Sequence, residues 1–145
     1  MSRGHITNFQ ELEQLLAKYS VEVYEPGKNG LENDLAVFGN ASLLIGPHGA
    51  GLANMIFTSK TKVAVVEISC GEKWETDFFY HTAVEMNYDF ESVQAKVDEK
   101  PIARMPELTE PWTIDIAQLE SVIAEVVSRQ SEKSLGRPET HNEYS

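Results

Sequence analysis

His48 stands inside a run of small residues, Ile45-Gly46-Pro47-His48-Gly49-Ala50-Gly51-Leu52-Ala53-Asn54-Met55-Ile56-Phe57, and this run carries the chemistry most readily read from the chain. An imidazole gives and takes protons near neutral pH. Glycines at 46, 49 and 51 allow positive φ and let another molecule approach the main chain. If a helix starts at Leu52, its first amides lack partners within the helix and carry partial positive charge, a setting that suits a phosphate. The same small residues would also serve close packing of a strand against the next helix, with His48 bonded to its own loop. Glu67 is the second candidate. It ends the apolar run Lys62-Val63-Ala64-Val65-Val66-Glu67-Ile68, where a carboxylate can accept from paired ribose hydroxyls or close a salt bridge.

The elements that would position these residues follow from periodicity. Phe9, Leu12, Leu16 and Tyr19 recur at helical spacing behind Thr7 and Asn8, which with Gln10 and Glu11 have capping-box spacing. Val21-Glu22-Val23-Tyr24 alternates like a short strand closed by Pro26-Gly27, and Leu31, Leu35 and Phe38 predict a second helix. Apolar strands at 42–46 and 62–68 then flank one helix, a βαβ unit with parallel strands and a right-handed crossover. A helix over 74–86, a strand over 88–93 and an amphipathic helix carrying Ile116, Leu119, Ile123 and Val126 complete the series. Residues 95–113, with Pro101, Pro106 and Pro111, read as a surface excursion. The fold class is therefore α/β, a mainly parallel sheet with helices on both faces. Residues 1–130 form one domain, and 131–145 read as a disordered polar tail.

Parallel strands present their carboxyl ends on one edge, so Gly46, His48, the amides of Gly49, Ala50 and Gly51, and Glu67 should converge there. Composition narrows the ligand. A net charge of −11, from 12 Lys and Arg against 23 acids, argues against nucleic acid or an anionic membrane surface. Cys70 is the only cysteine and reads as an apolar filler. No His, Cys or Asp pattern offers a metal site, and no run is apolar enough to cross a bilayer. Trp74, Phe78, Phe79 and Tyr80 could stack on a base or sugar or belong to the core. His81, beside them, reads as structural, and the Asn40-Ala41-Ser42 triplet fits the N-glycosylation pattern and is assigned no role.

The pattern Gly46-x-His48-Gly49-Ala50-Gly51-Leu52-x-Asn54-x-x-Phe57, followed by Val65-Val66-Glu67-Ile68, resembles the signature of glycosyltransferase family 61. The resemblance extends from Asn8 to about Val127 and implies the C-terminal, nucleotide-sugar-binding half of a two-domain GT-B enzyme. It implies an inverting transfer from a UDP-sugar to a glycan or glycoprotein acceptor, with no cofactor and no metal needed to hold the donor. It also implies that the N-terminal half is missing, and that either Ile6 and its neighbours make a vestigial first strand or the chain is a fragment lacking that strand, the second being favoured. The compartment would be the ER or Golgi lumen for a eukaryotic parent and the cytoplasm for a bacterial one. Arg3 is the nearest match to an arginine that the family carries ahead of Asn8, although Gly4 and His5 take the closer positions. Asp34 stands where the family has glutamine. Two other classes compete: a non-catalytic nucleotide-binding or interaction module with the same fold, and an unrelated small phosphate-binding regulator.

Overall fold

A computed structural model describes residues 6–69, 77–97 and 111–135. The expectations for Arg3, His5, Cys70, Trp74 and residues 98–110 lie outside them. Helix α1, Phe9–Lys18, buries Leu12, Leu15 and Leu16, and places Glu11 in its first turn and Lys18 in its last, as the helix dipole favours. It ends on Ser20 at φ 56°, with Val21 N–H bonded to Leu16 O and Ser20 N–H to Ala17 O, a Schellman closure. Helix α2, Leu31–Gly39, leads into β1, Leu43–Pro47. A short 3-10 helix, Leu52–Phe57, connects β1 to β2, Ala64–Ser69. Helix α3, Phe78–Glu85, then precedes β3, Asp89–Gln94.

These three strands form one parallel sheet in the order β1-β2-β3, with Leu43 opposite Ala64 and Ala64 opposite Asp89. Central β2 is buried along nearly its whole length, which is why its sequence is an unbroken apolar run. Its alternate residues serve two cores. Ala64, Val66 and Ile68 pack with α1 and with α4, Ile116–Leu135, whose Leu119, Ile123 and Val126 are fully buried. Val63 and Val65 pack on the other side with Leu52 and Met55 of the 3-10 helix and Phe79 of α3.

Several expectations are corrected. The Thr7 and Asn8 side chains do not cap α1; they reach partners 105 and 106 residues along the chain instead. The Asn8 amide pairs with the main chain of Ile114 in both directions, at 2.7 and 3.0 Å, as a peptide group would. Ile6 forms an isolated parallel bridge with Trp112. Trp112 belongs to β5, Trp112–Thr113, which pairs antiparallel with β4, Lys96–Val97, inside the stretch read as a structureless excursion. Residues 21–24 form no strand, because no neighbouring strand supplies their hydrogen bonds. Leu52–Phe57 is a six-residue 3-10 helix rather than an α-helix. Finally, α4 carries helix to Leu135, past the boundary at 130.

Candidate functional site

The β1–β2 ladder continues one step beyond Pro47, where His48 N–H donates to Ile68 O at 2.9 Å and holds His48 at the carboxyl edge of the sheet. Register sets Gly46 beside Glu67. Side chains alternate along a strand, so His48 and Glu67 both turn to the α3 face. There His48 Nδ1 meets Glu67 Oε1 at 2.5 Å, and the imidazole packs edge-on against Phe79 with ring centres 4.9 Å apart. Both side chains are 11% exposed. A carboxylate can only accept, so with Glu67 ionised the bond fixes a proton on Nδ1. This contact is the salt bridge that the sequence left open for Glu67 beside the ribose role.

The glycine turn departs from its expected conformation. Only Gly49 has positive φ, at 155°, with no atom within 4 Å of an added Cβ. Gly46 lies in the strand, where a Cβ would make an ordinary contact with Leu52, and Gly51 is right-handed helical with open space around it. Leu52 N–H donates to Gly49 O and Asn54 N–H to Gly51 O, whereas the amides of Gly49, Ala50 and Gly51 donate to no other described residue. In place of a helix dipole, which six residues of 3-10 helix supply weakly, the turn offers free donors.

Gly49, Ala50 and Gly51 line a groove of about 700 Å³. Its walls are the free edge of β1, the Gly46–Leu52 turn, the end of α2, and residues 19–26. His48 and Glu67 are not part of its walls. The far wall is held by Asp34, a residue whose role the sequence concealed: it accepts from the Tyr24 hydroxyl at 2.5 Å and from Gly27 N–H at 2.9 Å. Gly27 takes φ 88°, which its lack of Cβ permits. The bond to Asp34 raises the Tyr24 pKa above its ordinary 10.0, with desolvation adding to it. Asp34 is therefore occupied in bracing this wall.

Gly46, Gly49, Ala50 and Gly51 thus share one groove, and His48 and Glu67 share a bond on the other side of the turn. Phe79, weighed in the sequence between a stacking and a core role, is buried at 5% and orients His48, whereas Phe78 and Tyr80 are exposed. His81 is exposed, its ring set edge-on to that of Tyr80 and its N–H bonded to Asp77 O at 2.9 Å. Among the described residues no cluster of three His, Cys, Asp or Glu could hold a metal ion, and no helix is long and apolar enough to cross a membrane. No curated protein matches the sequence. Residues 1–66 match the family model described as Glycosyltransferase 61.

Proposed function

We propose, from the match of residues 1–66 to the glycosyltransferase 61 family model, which supports glycosyl transfer as the chemistry, that this chain is the donor-binding half of a GT-B enzyme. Its Rossmann-like domain would hold a UDP-sugar for inverting transfer to a glycan or protein acceptor, with an N-terminal half completing the site. The observation that carries this reading is the set of three successive amides, Gly49, Ala50 and Gly51, that donate to no described residue and belong to residues lining the groove. As a sugar leaves a nucleoside diphosphate, negative charge grows on the diphosphate, and donors already fixed there stabilise the transition state more than the ground state. Glu67 positions His48 in this scheme by holding its Nδ1, and His48 braces the turn from the side away from the groove.

Calorimetric titration of the chain with UDP tests the proposal. Saturable binding is expected, lost in Gly51→Ala while the fold is kept, because an added Cβ meets no protein atom but occupies the space a phosphate needs. Unchanged UDP affinity in that variant removes the turn from the site. The burial of His48 against Glu67 and Phe79, away from the groove, favours the second reading, a non-catalytic nucleotide-binding or interaction module. UDP binding that is indifferent to His48→Ala would select it.

A further inference from the structure

We propose that the groove beside β1 receives one extended strand of a separate polypeptide, lying between β1 and residues 21–24 and hydrogen-bonded to Leu43 and Ile45. The ladder fixes which groups are available. Ser42 O accepts from Ala64 N–H and His48 N–H donates to Ile68 O, both at 2.9 Å. Even-numbered residues of β1 therefore turn their main-chain groups to β2, and Leu43 and Ile45 turn theirs to the groove. No described residue pairs with them. Across the groove, the main chain of Glu22, Val23 and Tyr24 is equally without hydrogen bonds to described residues. A slot with unmatched donors and acceptors on both walls is complementary to a polypeptide main chain, which supplies alternating donors and acceptors on both its edges.

The side-chain surroundings state what kind of strand fits. One face of the slot offers Tyr19, Val21 and Val127, and the other Val37, Phe38 and Leu52. Both faces are apolar, so the occupant is apolar at successive positions, like a strand covered on both sides. Glu22 lines the slot and forms no ion pair among the described residues, and the chain carries a net charge of −11. Charge complementarity therefore asks for lysine or arginine flanking the apolar stretch. Pro47 has no N–H to offer, so the added ladder stops below the glycine turn and leaves the Gly49–Gly51 amides to an anion.

The probe is a short capped valine-rich peptide with lysine at each end, added to the whole chain and followed by amide hydrogen exchange in NMR. Slowed exchange at Leu43 and Ile45 is expected, with shifts in residues 21–24. N-methylating the peptide amides that face β1 should weaken binding by about tenfold, the effect of losing two ordinary hydrogen bonds. That comparison leaves the protein itself unaltered. Replacing the flanking lysines by glutamate, or the exposed Glu22→Lys exchange, should each weaken binding severalfold. Equal binding of the N-methylated peptide, or no slowing at Leu43 and Ile45, overturns the proposal. So does protection that grows with protein concentration in the absence of peptide, which would assign this edge to a second copy. UDP binding is read separately, so either proposal can fail alone.

Discussion

The two faces of the sheet are built differently although they share β2. On the α1 and α4 side, fourteen buried residues form one core, sealed by long helices and by ties such as the Asn8–Ile114 pair. On the other side five buried residues suffice among those described, because a six-residue 3-10 helix and an eight-residue α3 cover less area. Ile56, Phe57, Phe78 and Val84 accordingly remain exposed there. The polar His48–Glu67 pair lies on this thinner side, whereas the thicker side holds the strands in register. The larger apolar core and the polar pair have thus been divided between the faces, and the division can be broken experimentally.

The largest effect should come from Leu119→Ala, which empties a fully buried position in the thicker core and should cost about 3 kcal/mol in urea denaturation. Leu52→Ala, on the thinner side and 6% exposed, should cost about 2 kcal/mol, since the site can collapse or admit water more readily. Equal losses would remove the distinction between the faces. Next in size is Asn8→Ala, which strands two main-chain groups of Ile114 and should cost about 1–2 kcal/mol.

A smaller effect is expected at Arg129, whose guanidinium on α4 pairs with both Asp89 oxygens at 2.8 and 3.2 Å and with Glu91 at 2.9 Å. Its side chain is 30% exposed, so Arg129→Met should cost about 1 kcal/mol or less, and the loss should shrink as salt is raised. A loss that is insensitive to salt would show that packing, not charge, ties α4 to β3.

The smallest effect is the pH response of the groove wall. Folding raises the Tyr24 pKa, so the protonated phenol is favoured in the folded state. Its contribution is complete below the ordinary value of 10.0 and is lost as pH rises through the higher folded value. Asp34→Ala should lower the Tyr24 titration midpoint, followed through its ring carbons by NMR. An unmoved midpoint would mean that burial, not the Asp34 bond, sets the shift.

Much of this arrangement could be read in the chain before any coordinates. Helical spacing in Phe9–Tyr19 and Ile116–Val126 and the unbroken apolar run 62–68 located the main elements, because burial on one face or two leaves a period in the sequence. The run from Gly46 to Phe57 marked the turn between β1 and the next helical segment. Other features left no local trace. Asn8 has the residue type of a cap, yet Ile114 competes for its amide from across the molecule. Val21-Glu22-Val23-Tyr24 has the alternation of a strand, yet a strand exists only where a neighbour completes its hydrogen bonds.

By itself, then, the sequence determined the α/β layering, the position of the glycine turn and the identities of His48 and Glu67, since these follow from residue type and period. Only tertiary structure decided that His48 faces Glu67 while the turn's glycines line the groove, and that Asp34 braces the opposite wall. Strand register and the packing of distant segments set those pairings, and both depend on the whole chain's competition for hydrogen bonds and buried area rather than on any short stretch.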